Sequence, residues 1–188
     1  MLGTVSVEPR VIPEAVSAWR AWGLSGSRDG SNVRLMPVAG SARPWSIAEP
    51  TRASCRRRHD RIPDVGCRCG LHAMHVREEI RRTRDPAVAG TVALWGRIVE
   101  HEHGYRAEWG YPQRLSLICR LCFWQWGFAR SSSPDVVVRH RGGAMVPLCE
   151  PHLALARRYA YPTPIVMPAG AVERELLDAY AVDVLRAA

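Results

Sequence analysis

Two cysteine-containing pairs, separated by 26 residues, constrain this chain of 188 residues more than any other feature. The segment "CRLC" contributes Cys119 and Cys122, and "CEPH" contributes Cys149 and His152, which gives the pattern C-x2-C-x26-C-x2-H. Three thiolates and one imidazole form a common tetrahedral ligand set for structural zinc, and a gap of two residues lets both members of a pair reach one ion. The pattern therefore predicts a first zinc site. The alternative interpretation is that the cysteines are buried core residues and that His152 lies on the surface.

A second group of cysteines lies in the segment "ASCRRRHDRIPDVGCRCGLHAMH", which supplies Cys55, Cys67 and Cys69. A closed zinc site needs a fourth ligand, and the segment offers three candidates: His59, His72 and His75. We favour His59, which lies in the loop that returns to the C-x-C pair, and then His72. The alternatives are reduced core thiols or a C-x-C redox pair. The redox interpretation is the weaker one, because no thioredoxin-like strand–helix pattern surrounds the pair.

The cysteine count also bears on the cellular compartment. Six cysteines in a secreted chain indicate disulfides, whereas the same number in a cytosolic chain is more typical of metal binding. The N-terminal residues lack a basic region followed by an apolar region, so no secretory signal is predicted. No stretch approaches the roughly 18 unbroken apolar residues of a membrane span. We therefore expect a cytoplasmic protein that binds two Zn²⁺ ions and does not enter a membrane.

The residues around the first ligand set predict a compact local fold. Residues 134–140 and 144–148 are apolar enough for two strands, and the "RGG" between them is a turn signal. Pro151 suits the first turn of a helix over residues 150–160, where the dipole would also stabilise the thiolate of Cys149. A knuckle, a hairpin and then a helix with the last two ligands resembles a treble-clef zinc finger. The resemblance covers residues 117–161.

A second predicted hairpin, at residues 90–112, carries the sequence "EHEH". A strand at 91–102, a turn at His103 and Gly104 and a return strand at 105–112 would place Glu100 and Glu102 on one face, with His101 and His103 on the other. If the protein is an enzyme, its catalytic residues are the charged cluster of a phosphate-ester hydrolase: Glu100, His101, Glu102, Arg106 and Glu108. The favoured alternative is a charged ladder that fixes the register of the hairpin. The sequence contains no activated serine or cysteine motif and no GxxxxGK[ST] phosphate loop.

The segment that joins the second cysteine group to this hairpin has a family resemblance. The order "CRCGLHA" followed by "LWGRIVEHEHGYRAEWGYP" resembles a widespread group of uncharacterised bacterial proteins. That group has a C-x-C-G-[IL]-[YH]-A motif before an LWG-x-V-x-EHE-x-G-[YW]-RAE motif. The resemblance covers residues 52–115 and implies no activity. Trp109 and Gly110 stand where the group has Tyr-Ala, and the CRLC…CEPH finger is an addition to the shared pattern.

Positive charge is the remaining signal for function. The formal net charge is +8, and all 26 basic residues are arginine. An excess of positive charge favours an anionic partner, most commonly nucleic acid, although a solvated basic surface is an equal alternative. The candidate nucleic-acid contacts flank the second cysteine group and a short helix predicted at 71–84: Arg56, Arg57, Arg58, Arg61, Arg77, Arg81 and Arg82. Trp124 and Trp126 are candidates for base stacking, with burial in the core as the commoner fate of such residues.

These observations predict an α+β protein with small antiparallel sheets, short helices, two metal-stapled modules and a C-terminal amphipathic helix. The predicted units are a β-rich domain at 1–115 that contains the metal module (55–75) and the EHEH hairpin (90–112), a finger at 116–162, and a Pro-rich crossing with a helix at 163–188. Residues 1–12 are predicted to be a loose tail, and strands are predicted at 16–25 and 32–40. The C-terminal helix, within 171–185, has apolar residues at helical spacing: Val172, Leu176, Leu177, Tyr180, Val184 and Leu185.

The function that these features favour is a non-enzymatic zinc protein that binds nucleic acid, or a complex associated with nucleic acid, through its arginine-rich surface. The alternatives are the hydrolase described above and a protein–protein adaptor. In each case metal binding would replace the apolar core that such small modules lack.

Overall fold

The computed structural model describes residues 14–38, 43–128, 131–140, 142–158 and 165–185. These residues form a mostly antiparallel sheet with three short α-helices and one 3-10 helix. The predicted α+β class is therefore confirmed. The loose tail predicted at 1–12 lies outside the described residues. Among the helices of the described ranges, none has the length and apolar character needed to cross a membrane.

A long hairpin dominates the sheet. Its strands are β5 (Val88–His101) and β6 (Gly104–Leu117), which pair antiparallel from one end to the other. The hairpin predicted at 90–112 is thus present, with longer strands than expected. Gly104 is required at its turn, because a Cβ atom there would lie 2.0 Å from the carbonyl oxygen of Ala73 on a neighbouring strand.

A second long strand, β1 (Val16–Ser25), lies on the other side of β5 and confirms the strand predicted at 16–25. The remaining strands are β2 (Arg34–Met36), β3 (Thr51–Arg52), β4 (Leu71–Met74), β7 (Val136–Arg139), β8 (Ala144–Leu148), β9 (Ile165–Pro168) and β10 (Asp183–Val184). β7 and β8 pair as the predicted finger hairpin, and β8 also pairs with the end of β1 at Leu24 and Ser25. The β7–β8 hairpin is therefore continuous with the main sheet.

The helices are short and lie at the ends of strands. They are a 3-10 helix (Arg77–Arg82), α1 (Arg120–Trp126), α2 (Glu150–Arg158) and α3 (Ala169–Tyr180). The helix predicted at 71–84 is wrong over its first part, because β4 occupies those residues. β4 buries Leu71 and Ala73 on one face and pairs with β6, so its alternating pattern is that of a strand. Only the 3-10 turn that follows is helical.

The C-terminal helix is shorter than its apolar pattern predicts. α3 ends at Tyr180, and Ala181 follows in the left-handed region with φ of 49°. The chain then extends, and β10 pairs in parallel with β6. The prediction that Val184 and Leu185 continue the helix face is therefore wrong, whereas Val172 and Leu176 are buried as expected. This pairing provides hydrogen-bond partners for backbone groups of β6, which would face solvent if residues 183 and 184 continued the helix.

Tyr180 connects α3 to the main core. Its hydroxyl accepts a hydrogen bond from the backbone N–H of Leu35 at 3.1 Å and donates one to the carbonyl oxygen of Trp45 at 3.0 Å. The side chain is fully buried, and burial raises the pKa of its hydroxyl, so the group is neutral. One phenol thus joins the last helix to two segments near the start of the chain.

Replacing Tyr180 with Phe should lower the free energy of unfolding by about 1–3 kcal/mol, because a buried donor and a buried acceptor each lose a partner. Urea denaturation of the parent and the variant measures this difference. Tyr111→Phe is the control, since the Tyr111 hydroxyl is half-exposed and donates a single hydrogen bond to the Tyr180 carbonyl oxygen at 2.6 Å. Equal losses of stability in the two variants would contradict the role given to Tyr180.

Candidate metal centres

The first cluster brings together the four residues of the C-x2-C-x26-C-x2-H pattern. The Sγ atom of Cys149 lies 3.6 Å from that of Cys119 and 3.7 Å from that of Cys122, and His152 Nδ1 lies 3.1–3.4 Å from all three sulfurs. A zinc ion with Zn–S distances of about 2.3 Å would separate its tetrahedral sulfurs by about 3.8 Å. Disulfide sulfurs would lie at about 2.05 Å, and all six cysteines are free. The donor atoms therefore occupy positions that suit one tetrahedral zinc ion.

Local structure explains how the two pairs converge. Cys119 is the N-cap of α1, so Cys122 falls in the first turn of that helix. Cys149 immediately precedes α2, and His152 falls in its first turn. A gap of two residues across a helix start places both side chains of a pair on the same side, and the partial positive charge of each helix start favours thiolate. The helix at 120–126 was missed from the sequence, because its aromatic residues have weak helix propensity.

The first cluster is fully enclosed by apolar side chains. All four ligands are buried, and they pack against Val138, Val146, Leu148 and Leu153. Burial, and after it the neighbouring thiol of Cys119, raise the pKa of Cys149 to about 12. A central divalent cation reverses both effects, because it stabilises the thiolate form. Four protein ligands leave no open coordination position, an arrangement typical of structural zinc.

The second cluster combines Cys55, Cys67 and Cys69 with His59. Their donor atoms all lie within 4.8 Å of one another, and the Cys55 and Cys67 sulfurs are 3.8 Å apart. The Nε2 atom of His59 is buried and has no hydrogen-bond partner among the described residues, a cost that a bound metal would remove. The two donor sets both suit zinc, as the two-site prediction requires. Unlike the first cluster, this one is only half-enclosed.

His72, the second-choice ligand, lies outside this cluster. It belongs to β4, and its Nε2 atom lies 2.8 Å from the carbonyl oxygen of Arg68. His75 lies beyond the end of β4, where its ring contacts Tyr105 and its Nε2 atom is 3.3 Å from a carboxylate oxygen of Glu100. Neither residue lies in the helix predicted at 71–84, because the segment is a strand followed by a bend.

The thiols of the second cluster differ in acidity. Burial alone would raise the pKa of Cys67, but the nearby side chain of His59 and the backbone of Cys69 lower it to about 7. Burial raises the pKa of Cys69, and the neighbouring thiols add to that increase. Cys67 therefore ionises near neutral pH, whereas Cys69 needs the charge of a cation to ionise.

The loop that carries the second cluster is attached to β6 by Arg106. The guanidinium of Arg106 donates to the carbonyl oxygen of Asp64 at 3.1 Å and also contacts the carbonyl oxygen of Cys67. Gly70 follows the last ligand with φ of +123°, and a Cβ atom there would lie 3.0 Å from the Cβ of Arg106. The close approach of this loop to β6 therefore depends on a glycine and an arginine.

Three of the five hairpin residues proposed for a hydrolase have separate partners elsewhere in the structure. Glu108 pairs with Arg52 on β3 at 2.8 Å, Glu100 pairs with His75, and Arg106 holds the metal loop. The remaining two lie at the turn. Burial and then the charge of Arg106 lower the pKa of His101, and a carboxylate oxygen of Glu102 is 3.8 Å from His103 Nε2. Among the described residues, no ion pair joins Arg106 or Glu108 to the other three members of the cluster. The contacts of Glu100, Arg106 and Glu108 instead link the hairpin to its neighbours.

Most of the candidate nucleic-acid contacts are exposed. The side chains of Arg56, Arg57, Arg58, Arg61 and Arg81 all face solvent. Arg77 is half-buried, and its guanidinium lies 5.7 Å from the ring centroid of Phe128. The side chain of Arg82 lies outside the described part of the chain.

The two tryptophans after the CRLC knuckle are also exposed. Trp124 and Trp126, on α1, expose 49% and 58% of their surface. The expected commoner fate, burial in the core, is therefore wrong for both, because α1 turns Cys122 and Phe123 inward instead.

Comparisons with models of known protein families, with curated proteins and with solved structures found no match to this chain.

Replacing His59 with Ala should reduce zinc content from two ions per chain toward one, because the second cluster loses a ligand. Replacing His72 with Ala should leave the content at two, and it serves as the matched histidine control. Elemental analysis of gel-filtered protein measures both values. Loss of zinc from the His72 variant with retention in the His59 variant would reverse the assignment.

Proposed function

We propose that this chain is a non-enzymatic zinc-binding protein that binds nucleic acid, or a complex associated with nucleic acid, through its arginine-rich surface. The two Cys/His clusters suit zinc with four protein ligands each, a geometry typical of structural rather than catalytic metal. Zinc would therefore hold the surface in shape, and binding would depend on the side chains that the metal modules present to solvent.

The observation that carries the proposal is the loop between Cys55 and His59. Both of its ends belong to the second metal cluster, and the backbone N–H of Arg58 donates to the carbonyl oxygen of Cys55 at 3.2 Å. This turn exposes Arg56, Arg57 and Arg58 together. Among the described residues, none of these three side chains forms an ion pair. Three adjacent guanidinium groups without acidic partners suit the phosphates of a nucleic-acid backbone.

The overall charge and the exposed aromatic residues support the same proposal. A net charge of +8 favours association with a polyanion. Trp124 and Trp126 present large aromatic faces, and the side chain of Arg81 approaches Gly127 at the end of the same helix. Exposed aromatic rings beside basic residues are typical of surfaces on which single-stranded bases stack.

A protein–protein adaptor is the second candidate, and exposure of the same two tryptophans favours it. Tryptophan is enriched at the energetic centres of protein interfaces. The adaptor would use α1, whereas nucleic acid would also need the arginine loop. The hydrolase alternative stays a prediction, since the contacts of its five residues do not converge on one point.

Changing Arg56, Arg57 and Arg58 together to Ala should weaken binding of single-stranded RNA or DNA and reduce the slope of log affinity against log salt. Each lost phosphate contact lowers that slope by about 0.7–0.9, so we expect a decrease of about 2. Fluorescence anisotropy with labelled oligonucleotides across salt concentrations measures it. Zinc content should stay unchanged, because no ligand is removed.

The matched control is a triple change to Ala at exposed arginines away from the loop: Arg28, Arg114 and Arg174. It removes the same charge, so any effect of net charge alone appears in both variants. Equal slopes for the loop variant, the control variant and the parent would show that the arginine loop is only a solvated surface. The adaptor would then become the leading proposal.

A further inference from the structure

A cavity of about 900 Å³ lies between the main sheet and the second metal module. One wall is formed by Trp19 and Arg20 of β1 together with the residues of β4. Arg68 and Cys69 of the metal loop form another wall, and the segment around Trp45 closes a third side. The cavity is therefore bounded by elements whose positions the sheet and the metal cluster fix.

The charged side chains of the cavity lining are all basic. Five arginines line it: Arg20, Arg43, Arg52, Arg68 and Arg84. The described residues of the lining include no Asp or Glu, and the carboxylate of Glu108, which pairs with Arg52, belongs to none of the walls. Hydroxyl groups of serine and threonine supply further hydrogen-bonding atoms: Ser46, Thr51, Ser54 and Thr83. Such a lining attracts an anion and offers it several donors.

Arg20 is the unusual member of this set. Its residue is 9% exposed, and its guanidinium lies 4.9 Å from the ring centroid of Trp45. One nitrogen contacts the carbonyl oxygen of His72, but Nε has no hydrogen-bond partner among the described residues. None of the ion pairs within the described ranges involves Arg20, and burial lowers its pKa to about 10.

Burial of a cation without an anion is costly, and removal of a buried charge from water needs compensation. The aromatic faces of Trp22 and Trp45 provide part of it through cation–π attraction. An anion within the cavity would provide the rest. None of the described walls contains an acidic side chain, so the lining itself provides no such anion.

We propose that this cavity binds a terminal phosphate group, with Arg20 as the buried anchor and with Arg68 and Arg84 at the exposed rim. A phosphate monoester has up to two negative charges and several acceptor oxygens, which suits guanidinium groups that approach from different walls. A carboxylate would satisfy only one of them bidentately. The phosphate has two sources, a free small phosphate ester or the 5′ end of a nucleic acid.

This site goes beyond the proposed function, because the exposed arginine loop at Arg56–Arg58 is not part of the cavity lining. Binding of a small phosphate ester in the cavity is therefore independent of the binding of a nucleic-acid backbone by that loop.

Isothermal titration of the zinc-loaded protein tests the site with inorganic phosphate, adenosine monophosphate and adenosine. We expect binding of the two phosphates and none of adenosine. Arg84→Glu should weaken phosphate binding by about tenfold or more, since it removes one charge-assisted contact and adds repulsion. Arg20→Gln should weaken phosphate binding to a similar extent if that variant folds. If it does not fold, Arg84→Glu still tests the site. Arg174→Glu, an exposed change on α3 outside the cavity, is the matched control and should bind as the parent does.

A second comparison separates the two sources. An oligonucleotide with a 5′ phosphate should bind the parent more tightly than the same oligonucleotide with a 5′ hydroxyl if the ligand is a nucleic-acid end. Equal affinities together with binding of adenosine monophosphate identify a small ester instead. No phosphate dependence with any probe would overturn the proposal, as would equal weakening by Arg84→Glu and Arg174→Glu. The triple change of Arg56, Arg57 and Arg58 to Ala should leave phosphate binding intact. That result would show that the cavity binds phosphate independently of the arginine loop.

Discussion

Coordination of one buried ion by Cys119, Cys122, Cys149 and His152 is the interaction on which the C-terminal half of the structure depends. The four ligands come from the starts of two short helices, and neither helix is long enough to be stable on its own. Without a metal, three thiols and an imidazole would occupy the middle of a small apolar cluster. Bound zinc converts that unfavourable burial into a cross-link that joins α1, β8 and α2.

The second cluster has a different relation to the fold. It is half-exposed, it is attached to β6 through Arg106, and its loop presents arginines to solvent on one side. On the other side, Arg68 and Cys69 form a wall of the cavity that contains Arg20. One metal cluster thus positions two basic surfaces, an open one and an enclosed one. Metal binding at the second cluster is therefore linked to both of the proposed anion-binding surfaces.

The sequence was informative where a pattern had one physical solution. Strands with strong apolar character were predicted with correct bounds at 16–25 and 144–148. The donor set of the first cluster followed from its spacing, because few geometries bring such pairs to one ion. In the second cluster the sequence indicated the three cysteines, but it left the fourth ligand open between His59 and His72. The predicted division into three units, the resemblance to a bacterial group and the cytoplasmic location stay predictions.

The errors came from interactions between distant residues. Leu71–Met74 was predicted as part of a helix, but it forms a strand because it pairs with β6. The C-terminal helix ends early for a similar reason, since the residues after it form β10, which also pairs with β6. Arg106 was grouped with its hairpin neighbours, whereas the structure turns it toward the metal loop. Arg20 gave no signal at all, since one arginine in an apolar strand is ordinary until its surroundings are known.

X-ray absorption at the zinc edge of the purified protein measures the metal content and the ligand shell of both clusters. We expect two zinc ions per chain, with an average shell of three sulfurs at about 2.3 Å and one nitrogen at about 2.0 Å. A shell dominated by oxygen and nitrogen, or a protein that folds with the same structure and no metal, would contradict it.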